Sequence, residues 1–135
     1  MPFIVRWPRR VDRGGVCDQT VVFSDVLATF AEVVGLEQIP EGMAEDSVSF
    51  LSNLIDAGRA PTKRPPIIHD RWTIRDGDWK LILPRKRNNA REDPSGELYN
   101  LKEDLAEQHN LVKVKPDVAE TLRAKLTSFL GLREE

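Results

Sequence analysis

Alternating apolar and polar residues mark the middle of the chain as β-structure. Residues 67–83 read as two short strands that are joined at Asp76-Gly77. Asp-Gly between alternating apolar residues is a strong hairpin signal, because a type I′ turn needs positive φ at both central positions. The second strand places Trp79, Leu81 and Leu83 on one face. A lone hairpin is only marginally stable in water, so the pattern predicts a partner sheet or helix.

Apolar residues at helical spacing predict three helices elsewhere in the chain. The first follows Ser24, a good N-cap residue, and ends before Gly35, which suits a C′ position. The second covers residues 46–57 and ends at Gly58. The last begins at Pro116, which is favoured at the first helical position. Its apolar stripe consists of Val118, Leu122, Leu126 and Phe129.

Two further strands complete the predicted order of elements. Residues 3–7 form a short strand between Pro2 and Pro8, because proline cannot donate to a ladder. Residues 97–101 form another strand, after a long polar loop at residues 84–96. The order is strand, helix, helix, hairpin, strand, helix. It predicts an α+β fold in which a small antiparallel sheet packs on a C-terminal helix.

Composition narrows the function classes. The chain has 135 residues, of which 40% are hydrophobic and 31% are charged, as is typical of a soluble globular domain. The net charge of −2 shows no basic excess, so a nucleic-acid partner is not expected. The chain lacks an apolar stretch of about 18 residues, so no membrane span is expected. Its first residues also lack the basic and apolar regions of a signal peptide.

Candidate chemistry is sparse. Cys17 is the single cysteine, so a disulfide framework is excluded, and nothing near it in the sequence would activate its thiol. His69 ends an apolar strand and either lines a cleft or is simply a partly exposed histidine. Lys63-Arg64 and Arg85-Lys86-Arg87 form either an anion-binding edge or solvated loop charge. The positions of the two histidines predict no metal site within the chain.

The order of six short segments resembles that of sulfatases. As they stand here, five of them are PFIVRWP at residues 2–8, SDVLAT at 24–29, EDSVSFL at 45–51, IRDGDWKLI at 74–82 and ELYNL at 97–101. The sixth is similar to the family pattern D-P-x-E-x-x-N-L, with Asp104, Glu107, Asn110 and Leu111 matching and Leu105 replacing the usual proline. The resemblance therefore covers nearly the whole chain.

This resemblance implies that the chain is the C-terminal region of a sulfatase, similar to arylsulfatases and N-sulfoglucosamine sulfohydrolases of the alkaline-phosphatase-like superfamily. Residues 1–60 would be the end of the α/β core, and residues 61–135 would be a C-terminal subdomain. Calcium and a formylglycine nucleophile are expected in a full-length family member. Cys17 does not fit the nucleophile pattern C/S-x-P/A-x-R, because Gln19 and Val21 occupy the Pro/Ala and Arg positions. No catalytic residue, metal ligand or cofactor is therefore expected in this chain.

The resemblance also suggests where substrate would be met. The segment before the hairpin would face the substrate side of the cleft, which makes His69, Arg71 and Trp72 the candidate substrate-binding residues. The implied partners are the rest of a sulfatase catalytic domain and a sulfated small molecule or polysaccharide. Full-length family members are often secreted, periplasmic or lysosomal.

Two other interpretations remain open at this point. One is a stand-alone, non-catalytic binding or assembly module with the sulfatase C-terminal fold. The other is a fragment of a related phosphoester or phosphonate hydrolase. A fragment would expose apolar residues of the first strand and first helix and would aggregate, whereas a module would be monodisperse.

Overall fold

The computed structural model describes residues 3–36, 38–84 and 95–131. The basic run Arg85-Lys86-Arg87, and with it most of the predicted polar loop, lies outside the described residues. The chain divides into two compact units, Met1–Arg64 and Pro65–Glu135, here called the N-terminal unit and the C-terminal unit. That residues 1–60 are the end of a larger α/β core stays a prediction.

The N-terminal unit contains two helices, α1 at Asp25–Val33 and α2 at Leu51–Ile55. The predicted strand at residues 3–7 is wrong, because this segment has no ladder partner among the described residues, and Ile4 is 87% exposed. The predicted second helix begins only at Leu51. The segment before it is held to α1 instead, since Val48 N donates to Asp25 Oδ1 at 2.9 Å.

Helix α1 confirms the first predicted helix, including Gly35 at φ +74° beyond its C-terminus. Ser24 takes the N-cap position, although its side chain makes no capping hydrogen bond. The helix is polar on its inner side, since its buried residues are Asp25 and Thr29. Its apolar residues Leu27 and Phe30 lie away from these two residues and are solvent-exposed. The amphipathic pattern is present, but within the N-terminal unit it is inverted.

The C-terminal unit is a four-stranded antiparallel sheet of order β1-β2-β3-β4, with β1 at Ile67–Asp70, β2 at Thr73–Asp76, β3 at Trp79–Ile82 and β4 at Glu97–Asn100. Helix α3, Pro116–Phe129, packs on one face of the sheet. The core between them consists of Ile74, Leu81, Leu98, Val112, Ala119, Leu122 and Leu126. The predicted α+β fold, with a small sheet on the last helix, is confirmed.

The segment predicted as one hairpin forms three strands. The chain reverses at Arg71-Trp72 as well as after β2, so β1 pairs with β2 and β2 pairs with β3. The second turn is centred one residue later than predicted, because Asp76 pairs with Trp79. Gly77 has φ +57° and the next residue has negative φ. The predicted type I′ geometry is therefore wrong, since positive φ at the first central position alone is the pattern of a type II′ turn.

Candidate functional site

The three predicted substrate-binding residues lie together around the β1–β2 turn. His69 is exposed at the point where the β1–β2 register shifts, and Arg71 is exposed in the turn itself. Trp72 is half-buried. Its amide donates to Asp70 Oδ1 at 2.8 Å, and its carbonyl accepts from Leu83 N at 2.7 Å. These bonds fix the turn, while the side chain of Arg71 stays open to solvent.

Arg71 and Trp72 form a contact pair within this turn. The Arg71 Cζ lies 5.9 Å from the centroid of the Trp72 ring, which is within cation–π range. A guanidinium beside an indole can bind an anionic group bidentately while the ring covers an apolar face of the same ligand. The arrangement suits binding, and it contains no nucleophile.

The family-like residues on the other side of the C-terminal unit are structural. Lys80 Nζ donates to both carboxylate oxygens of Glu107, at 2.7 and 2.8 Å. Asn110 Oδ1 accepts from the amides of Leu98 and Val112, each at 3.0 Å. The bond from Leu98 N covers part of the outer edge of β4, which would otherwise carry an unpaired backbone group, and the Lys80–Glu107 pair joins β3 to the segment after β4. In the sequence these residues match segments of the family pattern. In the structure their side chains hold the sheet and the segment after β4 together.

Two titratable groups of the C-terminal unit have shifted pKa values. Burial, followed by a 3.0 Å hydrogen bond to Glu97, raises the pKa of Tyr99 to about 12, because both disfavour the phenolate. Backbone amides of Gln108 and His109 donate to Asp104 and lower the pKa of its carboxyl. Both shifts therefore follow from burial and hydrogen bonds within the fold of this unit.

The N-terminal unit contains a buried ion pair that the sequence did not predict. Asp25 is 1% exposed, and its Oδ2 accepts from Arg64 NH1 at 2.5 Å and from Val22 N at 2.8 Å. Thr29 Oγ1 donates to the Asp25 carbonyl and accepts from Phe50 N. The sequence identified Asp25 only as an acidic residue in the first helical turn. Nothing local connects it to an arginine 39 residues further along the chain.

An open cleft of about 1300 Å³ lies within the N-terminal unit and is lined in part by Cys17, Asp12 and Asp56. Cys17 is half-buried, and its Sγ accepts from Gln19 N at 3.4 Å. Across residues 3–36, 38–84 and 95–131, no group of three or more His, Cys, Asp or Glu side chains could hold a metal ion. The described residues therefore offer no cluster of carboxylates of the kind that binds calcium. No helix in the described part of the chain is long and apolar enough to cross a membrane.

Comparisons with known proteins identify the chain's relatives. It is 31% identical over 142 residues to an N-acetylgalactosamine-6-O-sulfatase of Bacteroides thetaiotaomicron, a match that covers 95% of this chain and 27% of that protein. It is 28% identical over 150 residues to an ulvan-active sulfatase of Formosa agariphila, covering 87% of this chain and 29% of that protein. No protein-family model matches.

A solved structure supports the same relationship. It comes from work on the metabolism of multiple glycosaminoglycans by Bacteroides thetaiotaomicron, and it aligns with a TM-score of 0.60 at 30% identity. The alignment covers 78% of this chain and 24% of that one. The chain is therefore homologous to sulfatases along nearly its whole length, and it spans about a quarter of the length of these relatives.

Proposed function

We propose that this chain is the C-terminal portion of a sulfatase that hydrolyses sulfate esters, and that it is not catalytic alone. The observation that carries the proposal is the match of 95% of this chain to 27% of a sulfatase. The departures at Gln19 and Val21 from the nucleophile pattern are consistent with it. Calcium and formylglycine would belong to the remaining three-quarters of such an enzyme, which is the proposed protein partner.

The proposed substrate class is a sulfated polysaccharide. One relative is named for N-acetylgalactosamine 6-O-sulfate and the other for ulvan. On this proposal the turn that carries His69, Arg71 and Trp72 contacts the substrate. A sulfate ester keeps its negative charge at any pH near neutrality, so a guanidinium that is always protonated is a suitable partner. The indole would then stack on a sugar ring.

A stand-alone binding module is the second candidate function. The apolar core of the C-terminal unit favours it, because α3 covers one face of the sheet without help from another chain. Both candidates use the same turn for binding. They differ in whether the chain needs a catalytic partner.

The first experiment measures hydrolysis by this chain alone. The purified chain is incubated with an aryl sulfate and, separately, with a polysaccharide that carries N-acetylgalactosamine 6-sulfate, both with calcium. We expect no turnover above background, because the chain has no nucleophile of the family pattern. Turnover from a preparation free of other sulfatases would contradict the proposal.

The second experiment measures ligand binding at the turn. Amide chemical shifts are followed by NMR during titration with a 6-sulfated N-acetylgalactosamine oligosaccharide. We expect perturbations at His69, Arg71 and Trp72, and a roughly tenfold to hundredfold weaker interaction for Arg71→Gln, since a hydrogen bond to a charged group contributes about 1.5–3 kcal/mol. Arg59→Gln is the control, because Arg59 is equally exposed and lies in the other unit. Equal binding of the desulfated oligosaccharide would exclude sulfate recognition here.

A further inference from the structure

The outer side of α1 is a continuous apolar surface. With 100° of rotation per residue, Phe23, Leu27, Phe30 and Val34 fall on one side of the helix, opposite Asp25 and Thr29. Phe23 is 93% exposed and Phe30 is 64% exposed. Three of these four residues, Phe23, Leu27 and Phe30, border a hollow of about 550 Å³ together with Met43. This set of five residues is called the α1 surface below.

The helix cannot rotate to hide this surface within its own unit. Its inner side is fixed by the Asp25 carboxylate, which accepts from Val22 N, Val48 N and Arg64 NH1. Turning the apolar side inward would break all three bonds and leave a charge unpaired, which is costlier than exposing apolar surface. The exposure is therefore built into the unit.

We infer that the α1 surface packs against the sulfatase polypeptide that corresponds to the other three-quarters of the relatives' length. The inference rests on the proposed function for the identity of that partner. In the relatives, the segment homologous to this chain lies within a polypeptide about four times as long. Soluble monomers rarely expose contiguous apolar patches beyond a few hundred Å² unless a partner covers them.

A second copy of this chain fits the α1 surface less well. The five side chains expose on the order of 600 Å², given their exposed fractions and about 150–250 Å² for a whole aromatic residue. A standard stable interface buries about 800 Å² on each partner. A larger partner can also cover the other exposed apolar residues of the N-terminal unit, whereas a two-fold contact through α1 would leave them open. These residues are Phe3, Ile4, Val16, Val33, Leu36 and Ile55.

Capture by a relative tests the inference. The Bacteroides thetaiotaomicron N-acetylgalactosamine-6-O-sulfatase is produced without the segment that this chain matches, and it is co-expressed with this chain. We expect the two to co-purify, and we expect the pair Leu27→Ser and Phe30→Ser to lower the captured fraction at least tenfold. Phe129→Ser is the matched control, because this phenylalanine is 59% exposed but lies in the C-terminal unit. Loss of capture with the control as well, or no loss with the α1 pair, overturns the inference.

The relative's own segment serves as the positive control. If it is captured and this chain is not, the inference is overturned. If neither is captured, this chain is fused into the relative in place of the segment. The fusion is then expected to melt at a higher temperature than its Leu27→Ser, Phe30→Ser variant and at the same temperature as its Phe129→Ser variant. Any other order of melting temperatures overturns the inference.

Two further measurements separate the possible failures. Light scattering on this chain alone shows whether it forms a defined dimer. If it does, the reactivity of Phe30 with hydroxyl radicals is measured in that dimer. Protection of Phe30 would make a second copy the occupant of the α1 surface and would overturn the inference. Sulfate release by the captured complex is measured separately. A complex that depends on the α1 surface but releases no sulfate supports the surface and counts against the proposed function.

Discussion

The two units of this chain are stabilised in opposite ways. In the C-terminal unit, Ile74, Leu81 and Leu98 are fully buried between sheet and helix. In the N-terminal unit, the most deeply buried side chains are polar, namely Asp25, Thr29 and Asn53, and Phe50 is the only buried hydrophobic residue among those the structure describes. One unit has an apolar core, and the other has a hydrogen-bonded polar one.

The exposed side chains show the complementary difference. Of the large hydrophobic residues found exposed in the described part of the chain, eleven lie in the N-terminal unit and three in the C-terminal unit. Apolar burial is the main favourable term in folding, and it needs no specific partner. Buried polar groups contribute only when each one is satisfied. The C-terminal unit is therefore built to fold by itself, and the N-terminal unit depends on a few directional bonds.

The largest expected effect is on the polar core. Asp25→Ala removes the acceptor for Arg64 NH1 and for two backbone amides, so it leaves a buried guanidinium without its carboxylate. We expect the N-terminal unit to lose about 3–5 kcal/mol of stability. Native-state hydrogen exchange of the Val22 and Val48 amides measures the loss directly. The C-terminal amides should be unaffected.

The double variant Asp25→Ala, Arg64→Met is the control for this prediction. It removes both charges and keeps an apolar side chain of similar length in place of the arginine. We expect it to recover part of the lost stability, because no charge is left buried and unpaired. A single variant that costs less than about 1 kcal/mol would show that the polar network does not hold the N-terminal unit together.

A matched pair of leucines tests the apolar core. Leu98 is fully buried in β4, whereas Leu27 is 49% exposed on α1. Leu98→Ala should destabilise the C-terminal unit by about 2–5 kcal/mol, as is typical when a buried leucine leaves a cavity. Leu27→Ala should change the stability of the N-terminal unit by no more than about 0.5 kcal/mol. Denaturant titration followed by hydrogen exchange of each unit distinguishes them, and equal losses would contradict the contrast between the cores.

The same contrast explains what the sequence could predict. In the C-terminal unit the strands and the final helix satisfy one another within about 70 residues, so the local pattern predicts the sheet and helix, although it misses the chain reversal at Arg71-Trp72. Residues 3–7 failed as a strand because pairing needs a partner that no local pattern supplies. The start of α2 was misplaced because Ser47 and Val48 bond to α1 instead of entering a helix. The helical spacing of apolar residues predicts α1, but it does not say which side of the helix packs against the rest of its own unit.

The local structure around the candidate site differs from the sequence prediction. The sequence predicts His69, Arg71 and Trp72 within one continuous strand, whereas the structure places Arg71 and Trp72 in a turn. A signal was present, because Asp70 accepts a hydrogen bond from the amide two residues on, as aspartate often does in turns. The Asp25–Arg64 pair had no such signal, since its members are joined only by the tertiary fold.

The smallest expected effect is a spectroscopic one, and it tests whether the two units are independent. Tyr99 is the only tyrosine, so phenolate absorbance near 295 nm reports the C-terminal sheet alone. Its pKa is raised from 10.0 to about 12 by burial first and by Glu97 second. The stability linked to this group is fully present below pH 10 and is lost as pH rises through about 12, because only the unfolded state ionises readily.

Glu97→Gln should lower the midpoint of the Tyr99 titration only partly, since burial remains. In Asp25→Ala the midpoint should stay near 12, because that variant opens the other unit. A midpoint near 10 in Asp25→Ala would mean that the C-terminal unit needs the N-terminal unit to stay folded, and its closed core would then not make it autonomous.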